Sequence, residues 1–289
     1  MDDTMNADGT LLVPVANAET ATRQLDTAID LATDRSYRIL LLYVLEVPPQ
    51  LSLQDGRRYL LEDETEQLLA DAAGRVESAG VPVESRIRIA RDVATGIVGG
   101  AEAYDANAIL LGWRGRPPRE DVILGSYLDT VLRNAPCDVL VKRVKTPTPA
   151  IDSVLVAVAG GPHDGYAAEA AGAIARRNDA SVTLLHVVDP DDTDLPGDEA
   201  QGVLEDTADS FARVDSVERT VLESADVAGT ITDQTAHHDL TVLGVSRGGL
   251  IQRRLLGSIS EAVGRHAAGT VILAKRYDPV PSRVRRLFR

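Results

Sequence analysis

Gly112-Trp113-Arg114-Gly115, nine further residues and then Gly125-Ser126 have the types and spacing that suit a phosphate. Glycines take positive φ and let a ligand reach main-chain N–H groups with no Cβ in the way. The Gly125-Ser126 pair opens a predicted helix over Ser126–Asn134. Its free N–H groups, its dipole and the Ser126 hydroxyl favour an anion. The spacing matches neither G-x-x-x-x-G-K-[ST] nor G-x-G-x-x-G, so a phosphoryl-transfer loop and a dinucleotide fingerprint lack support. Arg114, Arg116 and Arg119 can neutralise phosphate oxygens, which arginine forks fit well, although Glu120 and Asp121 offer them local partners. The alternative for these glycines is a tight strand-to-helix loop that holds nothing.

A second version of the pattern keeps Gly244, Gly257 and Ser258, with Gly257 thirteen positions after Gly244 as Gly125 is after Gly112. It has Arg247 where the second glycine belongs and Gly248 one place late, with Arg253 and Arg254 nearby. Other chemistry is sparse. The five histidines, at 163, 186, 237, 238 and 266, all lie in the second half. His237 and His238 end a helix before a strand, where a cation faces helix carbonyls, and read as caps before metal ligands. His186 ends a strand, where it either packs or touches a ligand at the sheet edge. Asp164, after Gly160-Gly161-Pro162-His163, reads as a cap in a β-to-α loop. Cys137 is the lone cysteine and reads as a small buried hydrophobe. No Ser, His and Asp set recurs in both halves and no carboxylate pair stands out, so an enzyme has nothing specific behind it.

The elements that must position these residues occur twice. Leu11-Leu12-Val13-Pro14-Val15-Ala16 returns as Val154-Leu155-Val156-Ala157-Val158-Ala159, and Arg38–Val44 is answered by Ala180–Val188. Asp92-Val93-Ala94 returns as Asp226-Val227-Ala228, and Ala108–Gly112 as Leu240–Gly244. The chain therefore reads as a first domain over 9–145, a linker over 146–150 stiffened by Pro147 and Pro149, a second domain over 151–277 and a basic tail over 278–289. Each unit alternates strand and helix, with first-half helices predicted at Thr20–Asp34, Glu62–Ser78, Val93–Tyr104 and Ser126–Asn134 and a third strand at Val81–Ile89. Strands read as continuous apolar runs, as in a parallel sheet covered on both faces. The fold class is α/β, two doubly wound parallel sheets, each binding ligands where the strand order reverses.

Composition limits the partners. Lys and Arg number 30 against 44 Asp and Glu in 289 residues, a net charge of −14. Sixteen basic and 23 acidic residues up to position 150, and 14 and 21 after it, leave −7 on each half, an even acidic coat. A field of that sign repels phosphate backbones and anionic lipid, so nucleic acid is excluded as a general partner. Three lysines, Lys142, Lys145 and Lys275, and 3% aromatics give the surface a salt-adapted, halophilic cast. The N-terminal stretch lacks a signal pattern and no apolar run reaches the roughly 18 residues of a membrane span, so a cytoplasmic protein without stable membrane insertion is expected. The one basic cluster is the tail around Arg283, Arg285 and Arg286, read as frayed or as an anionic contact.

The Gly-x2-Gly-x9-Gly-Ser spacing after the fourth strand of an α/β unit, present twice, resembles the universal stress protein family in its tandem form. That resemblance implies a five-stranded parallel sheet of the adenine nucleotide alpha hydrolase-like type in each unit. It also implies ATP, with Mg, at the glycine loop and at the ends of the first and second strands. Carried over by position, the contacts are Pro14, Val15, Ala16, Val44, Gly112, Gly115, Gly125, Ser126 and Tyr127 in the first unit. Those of the second are Ala157, Val158, Ala159, Val187, Gly244, Gly248, Gly257 and Ser258. The chain departs from the pattern at Ala16 and Ala159, where ATP-binding members place an aspartate. A hydrogen bond to such a carboxylate is worth roughly 1.5–3 kcal/mol. In the family the last strand mediates dimers, so Asp138–Lys142 and Val271–Ala274 are expected to pair the two units within one chain, with a homodimer as a further option. The function implied is regulatory and nucleotide-responsive without catalysis. The alternative is a nucleotide-free module that regulates a partner such as a membrane transporter, and weak ATP hydrolysis is a third reading.

Overall fold

A computed structural model describes residues 7–114, 126–144, 150–191, 197–245 and 258–278. Gly115, Gly125, Gly248 and Gly257, the arginines at 116, 119, 247, 253 and 254, Glu120, Asp121, most of the linker and the basic tail lie outside them.

The first half runs β1 (Gly9–Pro14), α1 (Ala18–Arg35), β2 (Tyr37–Glu46), α2 (Leu53–Leu60), α3 (Asp63–Ser78), β3 (Val83–Ala90), α4 (Val93–Ala103), β4 (Ala108–Trp113), α5 (Ser126–Asn134) and β5 (Asp138–Arg143). The second half runs β6 (Ser153–Ala157), α6 (Asp164–Asn178), β7 (Ser181–Val188), α7 (Gly197–Ala208), β8 (Val217–Glu223), α8 (Val227–Gln234), β9 (Leu240–Gly244), α9 (Ser258–His266) and β10 (Thr270–Lys275). Helix ends follow local chemistry. Asn17 caps α1 by accepting from the Thr20 N–H at 3.0 Å, and α1 and α6 both end on a left-handed residue, Ser36 and Asp179. These equivalent caps place α1 and α6 in one register, so Gln24 answers to Ala167 and Ala21 to Asp164.

The described strands form one ten-stranded sheet, in the order β3-β2-β1-β4-β5-β10-β9-β6-β7-β8. Within each half all pairs are parallel and the order reverses once, between β1 and β4 and between β6 and β9. The halves meet through antiparallel β5 and β10, from Val139↔Lys275 to Lys142↔Ile272, which is the seam expected from the last strands. Their strands therefore point in opposite directions, and their carboxyl ends lie at opposite ends of the sheet.

Residues alternate between two apolar layers. Leu11, Val13, Val15, Ile39 and Leu41 face α1, α3 and α6, while Leu12, Leu40 and Leu42 face the side carrying α4, α5 and α9. α6 is buried along most of its length, with Tyr166, Ala167, Ala170, Ala171, Ala173 and Ala175 inaccessible, and its small side chains let α1 of the other unit come close. Polar contacts lock that approach. Arg176 grips Asp34 with two bonds of 2.8 Å, Asn178 donates to Asp30 at 2.9 Å, and Arg276 pairs with Asp138 and Glu169. Arg143 donates to the carbonyls of Gly264, Ala267 and Gly269 around the end of α9.

Two expectations change. The loop after β2 contains the extra helix α2, started by Ser52, which accepts from the Asp55 N–H at 3.0 Å. The edge strands β3 and β8 are not continuous apolar runs. Their Val-Glu-Ser-Arg-Ile-Arg-Ile-Ala and Val-Glu-Arg-Thr-Val-Leu-Glu stretches each carry three charges, at 84, 86 and 88 and at 218, 219 and 223, because each has a neighbour on one side alone.

Candidate functional site

The first crevice opens because one rung of the β1–β4 ladder is missing. The ladder consists of Leu11↔Ala108 and Leu12↔Ile109. In parallel geometry the next rung would run from the N–H of residue 14 to the Leu110 carbonyl, and Pro14 has no N–H to give. Gln24, fully buried on α1, supplies the donor instead: its Nε2 bonds the Leu110 carbonyl. The two strands part above that point. In the second unit Ala157 and Ala167 stand at these positions, and the ladder continues two pairs further, to Ala157↔Leu243.

Around the first crevice the structure gathers the expected first-unit residues that it describes. Val15 donates its N–H to the Leu42 carbonyl at 2.9 Å, which sets Ala16 beside Val44 on β2. Val44 lies two residues inside the end of β2, and its side chain packs toward Gly96 of α4, so it offers the crevice main chain only. Gly112 is level with Val15 across the gap. A Cβ on Gly112 would sit 2.9 Å from Gln24 Oε1 and 3.0 Å from Thr20 Cγ2, so this glycine is required by the approach of α1. Gln24 Oε1 is buried there without a hydrogen-bond partner. Tyr127, in the first turn of α5, ties that helix back by donating to the Gly112 carbonyl at 2.9 Å, and burial pushes its phenol pKa up. Ser126 opens α5.

Arg114 crosses the mouth. Its guanidinium donates to Asn17 Oδ1 at 3.0 Å and Thr20 Oγ1 at 3.1 Å, and pairs with Glu19 at 3.0 Å, all at the start of α1. It is exposed. One loop arginine therefore stands over a helix N-terminus at the point of strand reversal, the arrangement that binds phosphate in open α/β sheets. Asn17, next to Ala16, serves as helix cap and as a partner of Arg114.

The second crevice is arranged differently. Val158 and Val187 are in place beside β6 and β7, and Ser260 ties α9 to the Gly244 carbonyl at 3.0 Å as Tyr127 does in the first unit. Ser258 opens α9. Asp164 does not cap its helix in the expected way. Its Oδ2 turns back and accepts from the loop N–H groups of Ala159 at 2.7 Å and Gly161 at 2.9 Å. A Cβ on Gly244, which is buried, would lie 2.6 Å from Asp164 Oδ1, so the carboxylate occupies the space between β6 and β9. Burial raises its pKa, and the loop N–H bonds oppose that rise. His186 is buried, with Nδ1 2.9 Å from the Val158 carbonyl, and is a packed strand-end residue. His238 Nδ1 lies 3.0 Å from the Gln234 carbonyl, the capping role expected of it. Among the described residues no group of three His, Cys, Asp or Glu is placed to hold a metal, and no helix is long and apolar enough to cross a membrane.

The signals that sequence reasoning passed over were Pro14 against Ala157 and Gln24 against Ala167. A proline in a central strand is the visible mark of an interrupted ladder.

Comparison with known proteins agrees with this architecture. The family model described as the universal stress protein family matches residues 9–143 and again 150–275. A universal stress protein of Methanocaldococcus jannaschii is 28% identical over 142 residues, 47% of this chain and 82% of that protein. Among solved structures, a universal stress protein from Archaeoglobus fulgidus is similar at TM-score 0.67 and 20% identity, over 94% of this chain and 98% of its own. The cytoplasmic domain of a prokaryotic cation chloride cotransporter is similar at TM-score 0.64 and 14% identity, over 93% and 95%. The two structural likenesses are likenesses of fold.

Proposed function

Since the chain belongs to the universal stress protein family along both of its halves, we propose that its first unit holds an adenine nucleotide in the crevice between β1 and β4 and that the protein acts as a nucleotide-responsive regulator without catalysis. The observation that carries this reading is the interrupted β1–β4 ladder, opened by Pro14 and Gln24 and overlooked by the Arg114 guanidinium. The residues present fit such a ligand. Main chain of Val15, Ala16 and Val44 borders the gap where a base would lie, and Arg114 with the first turns of α1 and α5 faces where phosphates would lie. ATP is the nucleotide the family resemblance favours. Its Mg ion would be carried chiefly by phosphate oxygens and water, because among the described residues the crevice brings no carboxylate pair to it. Glu19 at the mouth competes for Arg114 and must yield to a phosphate.

Without an aspartate at position 16, affinity is expected to be roughly ten- to a hundredfold weaker by the lost hydrogen bond. Calorimetric titration of salt-matched protein with Mg-ATP and with AMP tests the reading, alongside thermal melts, since a binder must stabilise the fold by mass action. Arg114→Glu is expected to weaken binding at least tenfold, and Gly115→Arg with Ser126→Ala to abolish it. Absence of heat and of thermal stabilisation at millimolar nucleotide would defeat the proposal and leave the nucleotide-free regulatory module. Phosphate release that persists in the double variant would mark contamination.

A further inference from the structure

The two crevices are built to opposite ends, and the difference is concentrated in four positions. Where the first unit has Pro14, Ala21 and Gln24, the second has Ala157, Asp164 and Ala167, and where the first has a half-exposed Gly112 the second has a buried Gly244. The second ladder runs two pairs longer, so its crevice is shallower. Asp164 then fills what is left. Its Oδ2 accepts from Ala159 and Gly161, loop N–H groups of the kind an anionic ligand uses at a strand-to-helix turn, and its Oδ1 reaches the Gly244 backbone. Among the described residues no carboxylate fills the first crevice: Ala21 occupies the position of Asp164, and the side chain against Gly112 is the neutral Gln24, whose Oε1 is buried without a partner.

We propose that Asp164 is an internal anion that closes the second unit to phosphate ligands, so that one chain binds a single nucleotide, in the first unit. A phosphate approaching β6 would meet donors already engaged and a fixed like charge in a half-buried setting, where repulsion is poorly screened. The missing glycine at 247 adds to this discrimination but leaves the loop donors free, whereas the Asp164 carboxylate removes them. The count of one rests on nucleotide binding by the first unit; the role of Asp164 stands apart from it and is tested apart.

Full-length wild type, Asp164→Ala, Arg114→Glu and the Asp164→Ala/Arg114→Glu pair are titrated with Mg-ATP by calorimetry. The expected stoichiometries are one site in wild type, two in Asp164→Ala, none in Arg114→Glu at the same concentrations, and one in the pair. Two sites in wild type, or a stoichiometry that Asp164→Ala leaves unchanged, would overturn the inference. If wild type binds nothing, the reading of the first unit has failed, and gain of one site by Asp164→Ala still upholds the role of the carboxylate while no gain refutes it. Should Asp164→Ala fail to fold, judged by its melting transition, Asp164→Ser takes its place, because its shorter, neutral side chain releases the loop N–H groups and removes the charge while staying polar at the start of α6. A gain of one site in that variant supports the inference, and no gain overturns it.

Discussion

Lys142 is a charge placed where a charge is costly, and replacing it tests the reading of the seam between the units. It lies on β5 beside β10 and is fully buried, with Nζ donating to the Arg23 carbonyl at 2.7 Å and Thr27 Oγ1 at 2.8 Å. Burial pulls its pKa from 10.5 to about 8, against the pull of Asp26 and Asp30. A tenfold change in proton affinity is worth about 1.4 kcal/mol, so carrying the proton into the fold costs roughly 3 kcal/mol at pH 7. The folded pKa lies below the unfolded one, so the unfolded chain binds more protons between pH 8 and 10.5. The cost is full below pH 8 and fades as the pH rises toward 10.5. Lys142→Met removes it and forfeits two neutral hydrogen bonds worth about 1 kcal/mol each. The variant is therefore expected to be about 1–2 kcal/mol more stable than wild type at pH 7. By pH 10 the advantage should have vanished or reversed, a swing of roughly 2–3 kcal/mol. Urea unfolding followed by the fluorescence of Trp113 at several pH values measures it. A difference between the proteins that stays flat from pH 7 to 10, or a variant much less stable at pH 7, would refute the argument.

Arg143→Leu leaves carbonyls at the end of α9 without their donor and is expected to cost about 3 kcal/mol or more, seen as a fall of roughly 6–12 °C in melting temperature. Asp34, whose carboxyl is held below its ordinary pKa first by the Arg176 hydrogen bond, stabilises the fold at neutral pH and loses that contribution as the pH falls below the ordinary carboxylate value. Asp34→Asn should thus cost about 1 kcal/mol at pH 7 and nothing near pH 2, by denaturant titration at both pH values. Cys137 is buried and its thiol is pushed up to about 12, so a thiol reagent at pH 8 should label it no faster than the protein unfolds.

Much of this architecture was legible because the repeat was legible. The apolar runs of β1, β2 and β4 and the helices α1, α3, α4 and α5 fall within two residues of their predicted bounds, since strand burial and helix caps are written locally. α2 escaped because eight residues with Gly56 in their midst carry a weak period, although Ser52 and Asp55 form an N-cap signal. The first-unit site was legible as a set of neighbours: Pro14, Val15, Ala16, Val44 and Gly112 do converge. What each does was not. Pro14 looked like one residue of an apolar run, and its effect depends on which edge of β1 lacks a donor, a property of the paired sheet. Asp164 looked like a helix cap, and only the folded loop shows its carboxylate bound to N–H groups outside the helix. Gly112, read as room for a ligand, is needed by Gln24 and Thr20.

The antiparallel seam of β5 and β10 is the contact through which two identical subunits would meet about a two-fold axis. In such a dimer every substitution appears at both ends, so an opened ladder or a plugging carboxylate would be imposed on both crevices together. Joining the copies in one chain releases that constraint: Pro14 and Ala157, or Ala21 and Asp164, can be chosen separately while the seam keeps its shape. A symmetric scaffold thereby acquires a head and a tail, and an occupant at one end need have no counterpart at the other.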